Sequence, residues 1–373
     1  MEAVRLIAGR DRLCAVSLFS GAGGMDIGVE AAGFDILAAV EIDPYCCETL
    51  RLNIERRQEE TAVVEEDIRE VDPADLMKSL RLRPGELDLL IGGPPCQTFS
   101  LIGKKAGLGD ERGLLIFQMT RFARVFRPRA VLVEQVKGIL GAQDLHGVRG
   151  GVFDMLLREF DDLGYVPKWR VINSADYGVP QLRERVFVVA TPMPNGFEFP
   201  EPTHGPPRVQ ADLFPLRPYR TVGEALKGLG RPSRKSVNAP LREDSHVDVT
   251  TDRDRERIEF VPEGSYLACQ THLPKSITGN LGPKDTTKYL RLKRTEPSKT
   301  LRCGEIFFHP TVSRILTPRE YMRLHGYPDD YYLKGPIRSR SGRVPNLDQH
   351  RQVANSVPPP VAEVLATAIR EVL

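Results

Sequence analysis

The sequence predicts an α/β protein: a mostly parallel sheet covered by helices on both faces, followed by a smaller, irregular domain. Three observations predict it. Apolar strand-like runs alternate with helix-period segments through the first half. The alternation stops at Thr191, where TPMPNGFEFPEPTHGPP is proline-rich and without period. With 373 residues, 41% of them apolar, the chain can hold two domains and a sizeable core.

The elements follow in order. LCAVSLF, 13–19, is a short apolar strand ending at a glycine-rich turn, and MDIGVEAAG is a helix closed by Gly33. FDILAAVEI, 34–42, is a strand. Asp43 and Pro44 then stand as N-cap and first residue of a helix through about Arg56. AVVEEDI, 62–68, and LDLLIGG, 87–93, are strands. LLIFQMTRFARVF, 114–126, has helical spacing and stops before Pro128. AVLVEQV, 130–136, is a strand, GVFDMLLREFDDLG an amphipathic helix ending at Gly164, and VPKWRVINS and RVFVVAT are strands. The proline-rich start and apolar spacing of SVPPPVAEVLATAIREVL predict a closing helix.

Charge and cysteine usage narrow the class. The net charge of +2 makes any basic surface local, as in RPSRK, TTKYLRLKR and the segment 334–351. None of the six cysteines forms a CxxC, and the seven histidines supply no nearby ligand pair, so neither a metal site nor a disulfide framework is expected. The N-terminus lacks a leader-like apolar core and no stretch is long enough to span a bilayer, so a soluble cytoplasmic protein is expected.

Five constellations could carry chemistry. In SLFSGAGGMDIG, 17–28, Gly21, Gly23 and Gly24 let a ligand approach backbone N–H groups. A dinucleotide pattern would want glycine at Asp26, so a cofactor without a pyrophosphate, such as S-adenosylmethionine, fits at least as well; a plain tight turn stands beside it. Glu41, at the end of the second strand, is placed for ribose hydroxyls, and Asp67, at the end of the third, for an adenine amino group. A cap or surface charge is the alternative for each. Cys96 follows the fourth strand in GGPPCQTFS, either as a nucleophile or as a small buried hydrophobe. Glu134 is an acid in the apolar run VLVEQV, where a buried carboxyl that keeps its proton can donate a hydrogen bond. In QLRERVFVV, alternation puts Gln181, Arg183 and Arg185 on one strand face, and two adjacent arginines need anions: a phosphate, Glu134 or the substrate. A solvated face is the alternative.

In this order the motifs resemble the DNA (cytosine-5)-methyltransferase family. FSGAGG is similar to its first motif, Glu41 and Asp67 to its second and third, and GGPPCQTFS to its Pro-Cys nucleophile motif. RGLLIF, 112–117, VEQV, QLRER, LTPREYMRLHGYPDDY, 316–331, and ANSVPPPVA, 354–362, match later blocks. The resemblance leaves out the first dozen residues and about 195–290. It implies a Rossmann-like S-adenosylmethionine methyltransferase sheet. A catalytic domain over 1–193 would be completed by the helix at about 352–373, with a target-recognition domain at 194–300 and a hinge and return segment at 301–351.

The resemblance also implies roles. Cys96 would add to C6 of cytosine, Glu134 would meet the charge developing at N3, and Arg185 with Arg183 would hold the cytosine or its phosphate and keep Glu134 oriented. S-adenosyl-L-methionine, leaving as S-adenosyl-L-homocysteine, would be held by Phe19, Ser20, Gly21, Gly23, Gly24, Glu41, Ile42, Asp67, Ile68, Pro94, Leu115, Asn355, Ser356 and Val357. The target base must leave the duplex. The loop 97–112 would close over double-stranded DNA, with Gln97, Ser100, Lys104 and Lys105 as contacts. A monomer beside the nucleoid, acting in restriction–modification or phage defence, is the expectation. A transfer-RNA methyltransferase of the same fold and an inactive DNA-binding homologue are the alternatives. Two departures stand out: Ser17 replaces the acid often found before Leu-Phe-Ser-Gly, and Gln135 replaces the usual asparagine after Glu134.

Overall fold

The strand–helix alternation of the first half folds into one seven-stranded sheet. A computed structural model describes residues 12–95, 113–144, 146–192, 196–206, 216–234, 242–282, 289–303, 305–338 and 346–373. Where divisions were expected near 193, 300 and 351, the chain separates into two units. One holds residues through Asn173, Glu184–Glu201 and Pro359–Leu373; the other holds Ser174–Arg183 and Pro202–Pro358.

In the first unit the strands are β1 (Leu13–Leu18), β2 (Phe34–Glu41), β3 (Ala62–Glu65), β4 (Leu89–Gly92), β5 (Ala130–Val136), β6 (Val166–Asn173) and β7 (Glu184–Thr191). Their order across the sheet is β3-β2-β1-β4-β5-β7-β6. The first five pair in parallel, and β7 runs antiparallel to both β5 and β6. All four residues of β4 are buried, which is why the run LDLLIGG lacks polar alternation. At the edge, β3 stops at Glu65 instead of running to Ile68, and its half-exposed, charged character suits an edge strand.

Among the described residues, five helices join these strands: α1 (Gly24–Ala31), α2 (Pro44–Arg57), α3 (Pro73–Ser79), α4 (Gln118–Phe126) and α5 (Gly151–Asp162). Asp43 caps α2 by accepting from Cys46 N, with Pro44 first in the helix. The helix expected over 114–126 begins as a tighter 3₁₀ turn at Gly113–Phe117 before α4. Helix α3 is not among the expected elements, although Asp72 and Pro73 repeat the Asp-Pro signal. Leu18, Leu90, Phe122, Phe126, Val131 and Phe160 lie in the core between the sheet and these helices.

The second unit has short pairs of strands and two helices that matter below, α6 (Pro318–His325) and α7 (Gln349–Asn355). Thr317 and Glu320 form a capping box on α6. Arg314 donates to both oxygens of Glu320 at 2.6 Å, so this buried acid is fully paired. The chain then re-enters the first unit as α8 (Pro359–Arg370), which packs on α1. The contact is close at Gly28, where a Cβ would lie 2.3 Å from the Pro359 carbonyl oxygen.

Candidate active site

Strands β1 and β2 are parallel neighbours, so Gly21 and Glu41 emerge at the same carboxyl-terminal rim. Glu41 accepts from Gly21 N at 2.7 Å through one oxygen, and from Ile42 N and Asp43 N at 2.9 and 2.8 Å through the other. Burial raises its pKa above the ordinary carboxyl value, against the opposing pull of these N–H donors. The residue expected at a ribose thus first ties the glycine loop to β2, and the oxygen that accepts from Gly21 N keeps a second lone pair.

The loop leaves room for a ligand. Gly21 and Gly23 are left-handed, with φ of 54° and 73°, as is Phe19 at 55°. Among the described residues, a Cβ at Gly21 would meet nothing within 4 Å. Gly23 is the N-cap of α1 and supplies no side-chain cap, so the first-turn N–H groups are free of that competitor. Such donors suit the carboxylate of an amino-acid-like cofactor. Ile42 is 60% exposed beside the loop, whereas Ile68 and Pro94 are buried and Leu115 packs against the core. Asp67, expected at an adenine, accepts from the Arg69 backbone and guanidinium, at 2.6 Å from Nη2, which lowers its pKa.

The turn after β4 is held from two sides. A Cβ on Gly92 would come within 2.4 Å of Met119 Sδ and 3.1 Å of the Leu18 carbonyl oxygen, so a larger residue there would have to displace the Met119 side chain. Gln135 is buried and donates its Nε2 to the Pro94 carbonyl oxygen at 2.8 Å. Among the described residues, buried Gln135 Oε1 has no hydrogen-bond partner. Cys96 and the expected DNA contacts Gln97, Ser100, Lys104 and Lys105 lie outside the described residues.

Glu134 sits opposite Phe187 in the β5–β7 ladder, which makes Arg185 its diagonal neighbour on the same face. Arg185 Nε lies 2.9 Å from Glu134 Oε1, and both side chains are largely buried. The N–H does not point along this line, so the contact is an ion pair rather than an aligned hydrogen bond. The other oxygen, Oε2, lies 3.4 Å from where a Cβ on Gly93 would be, which sets the carboxylate beside the Gly-Pro turn.

The continuous strand expected through QLRERVFVV is corrected at Arg183. Gln181–Leu182 pairs with Ser298–Lys299 in the second unit, and β7 begins only at Glu184. Where anions were expected, Arg183 donates to the carbonyls of Leu301, Ala354 and Ser356 at 3.3, 3.0 and 3.0 Å. Gln181 takes part in the same buried cluster, receiving Leu301 N and facing His325 Nδ1, whose Nε2 faces Ser356 O at 2.9 Å.

These features meet in comparisons with known proteins. The model of the C-5 cytosine-specific DNA methylase family matches residues 13–371. The chain belongs to the C-5 cytosine-specific DNA methylases. It is 33% identical over 360 residues to the type II methyltransferase M.NgoFVII of Neisseria gonorrhoeae, covering 95% of this chain and 85% of that protein. With M.AquIA of Picosynechococcus sp. the identity is 44% over 221 residues, 57% of this chain and 88% of that one. A prophage-encoded Escherichia coli protein shares the fold at a TM-score of 0.69 and 23% identity, covering 96% of this chain and 99% of that one. Spodoptera frugiperda DNMT2 does so at 0.59 and 16%, covering 96% and 99%.

As a methylase the chain is a transferase with an α/β fold, and its family uses DNA as substrate and S-adenosylmethionine as methyl source. Among the described residues no helix is long and apolar enough to cross a membrane. Sequence reasoning missed one buried group of this methylase. Ser17 Oγ donates to Asp26 Oδ1 at 2.6 Å, and Ser20 Oγ lies 2.8 Å from Ser17 Oγ. Of the expected cofactor residues, Asn355, Ser356 and Val357 lie in the second unit. Asn355 Oδ1 accepts from the Cys303 thiol, Ser356 Oγ donates to Val353 O, and Val357 is buried.

Proposed function

We propose that this methylase flips a target cytosine out of duplex DNA and methylates its C5 through a covalent adduct with Cys96. The observation that carries the proposal is the buried Glu134–Arg185 pair beside the turn that leads into Cys96. A carboxyl there can meet charge developing on a cytosine ring, and a guanidinium beside it fixes its orientation.

Each residue's task follows from the ring chemistry. C5 of cytosine is a poor nucleophile. Addition of the Cys96 thiolate at C6 opens the C5–C6 double bond and raises electron density at C5. With a proton taken up from solvent between Glu134 and N3 when the base binds, the carboxyl donates to N3 as negative charge builds. Arg185 holds Glu134 and presents N–H groups toward the base. After C5 has gained its methyl, loss of the C5 proton to a base restores the double bond and expels the thiolate.

S-adenosyl-L-methionine, when bound, supplies an electrophilic methyl group and leaves as S-adenosyl-L-homocysteine. Gly21, Gly23 and Gly24 with Phe19 and Ser20 would hold its amino-acid end, and Glu41, Ile42, Asp67 and Ile68 its nucleoside. Pro94 and Leu115 would line the site. The resemblance alone supports Asn355, Ser356 and Val357 as further contacts, and supports Gln97, Ser100, Lys104 and Lys105 on DNA. The type II relatives support a sequence-specific role in restriction–modification. On the same reading the methylase serves phage defence and works in the cytoplasm beside the nucleoid.

The test is expression in a host without cytosine methylation, followed by mapping of 5-methylcytosine in its genomic DNA. The expected result is full modification within one short sequence context, and none with Cys96→Ser. Unmodified DNA in the presence of folded protein would contradict the proposal.

A further inference from the structure

Position 17 carries serine where the family often has an acid, yet the space beside it is not without one. Asp26, in the first turn of α1, is 5% exposed, and its Oδ1 accepts from Ser17 Oγ at 2.6 Å. Ser17 is 1% exposed and lies on β1. A serine hydroxyl has a single proton. With that proton given to Asp26, Ser17 Oγ is left as an acceptor, and Ser20 Oγ lies 2.8 Å from it. Ser20 is itself 9% exposed, and its backbone N–H donates to Val40 O at 3.2 Å. The chain of bonds therefore runs from the glycine loop, through β1, to the first turn of α1.

The placement of the acid has a physical reason. A carboxylate in the first helical turn is favoured by the uncompensated N–H groups there, and the N-cap Gly23 offers none of its own. The same burial lifts the Asp26 pKa to about 7, with the Ser17 bond opposing the shift. Burying a carboxyl at that cost is offset here by the order it gives Ser17 and Ser20.

We propose that Asp26 is a positioning residue for cofactor binding: from helix α1 it supplies the buried acceptor that the family often carries on the strand at position 17, and so fixes the Ser20–Gly24 loop. The inference deepens the proposed function, since it rests on that loop holding S-adenosylmethionine. It predicts that the acid can be moved. Asp26→Ser removes the carboxyl acceptor, and Ser17→Asp in the same chain returns a carboxyl from the other side of the contact.

The experiment is calorimetric titration of the full chain with S-adenosyl-L-homocysteine, with thermal melting to confirm folding. Asp26→Ser is expected to weaken binding about tenfold or more, the cost of leaving a buried hydroxyl pair without its acceptor. The exchanged pair, Ser17→Asp with Asp26→Ser, is expected to return to within about threefold of the natural chain. Wild-type affinity in Asp26→Ser, or an exchanged pair that binds no better than it, overturns the inference. If Asp26→Ser does not fold, the exchanged pair decides: folding with binding supports the inference, and failure of either overturns it. Glu41→Ala is the control. It should weaken binding, and wild-type affinity in that variant would instead overturn the cofactor assignment on which the inference rests.

Discussion

Gln135 Nε2 donates to the Pro94 carbonyl oxygen at 2.8 Å and so ties β5 to the turn that leaves β4. Pro94 stands two residues before Cys96, and its carbonyl can only accept, which fixes the amide orientation. The glutamine that replaces the family's usual asparagine thus spans this gap with its extra methylene. Gln135→Asn should shorten the reach and lower kcat about tenfold, the worth of one buried hydrogen bond. The dissociation constant for S-adenosylmethionine should change far less. Single-turnover rates and calorimetry on the same variant check the split.

Glu134 and Arg185 should behave as one unit. Glu134→Gln is expected to lower kcat roughly 10²- to 10³-fold, the range for losing a group aimed at developing charge. Arg185→Ala leaves a buried carboxylate without its partner and should cost a similar factor. The double variant should lose much less than the product of the two, as coupled neighbours do. A double-mutant cycle on kcat measures the coupling.

Arg183 has a different duty. It is 1% exposed and donates to three backbone carbonyls of its own unit. Arg183→Met should lower stability by on the order of 3 kcal/mol, because those buried acceptors lose their donor. Urea unfolding of the variant beside the natural chain checks this.

Gly28→Ala should also destabilise the fold. Its Cβ would lie 2.3 Å from Pro359 O, 2.6 Å from Glu363 N and 2.7 Å from Ala362 Cβ. Backbone atoms of α8 cannot rotate away, so α1 and α8 must separate at a cost of about 2–3 kcal/mol. The melting temperature reports it.

Stability should fall as pH rises across neutrality, in part through Asp26. Its pKa is raised from an ordinary 3.8 to about 7 in the folded chain by burial. Between those values the folded state binds more protons than the unfolded state. The contribution is therefore full below 3.8 and is lost as pH rises through about 7. Asp26→Asn removes the titration, so its urea midpoint should drop less between pH 5 and pH 8 than that of the natural chain. Glu30, raised to about 8 by burial, has the same sign and acts in both chains.

Much of this was legible in the sequence because it is local. Buried parallel strands read as apolar runs, Asp43-Pro44 announces α2, and Glu134 is conspicuous as an acid among Val and Leu. Helix α3 carries the same Asp-Pro signal at Asp72 and Pro73, but its seven residues show too little period to stand out. The break at Arg183 is different in kind. Alternation says which side chains share a face, not which strand they pair with, and the partner changes there from Ser298–Lys299 to β5 and β6. Asp26 was hidden for a related reason. Its meaning depends on Ser17 and Ser20, and only the packing of α1 on β1 brings those hydroxyls to it.

The most direct test of the covalent route uses duplex DNA in which 5-fluorocytosine replaces the target cytosine. Fluorine cannot leave as a proton does, so the adduct formed after methyl transfer has no way to expel Cys96. With S-adenosylmethionine present, a protein–DNA species should form that survives denaturation and whose modified peptide contains Cys96, and none should form with Cys96→Ser. Ready methylation of ordinary cytosine DNA without any trapped species, or a trapped species through another residue, would contradict it.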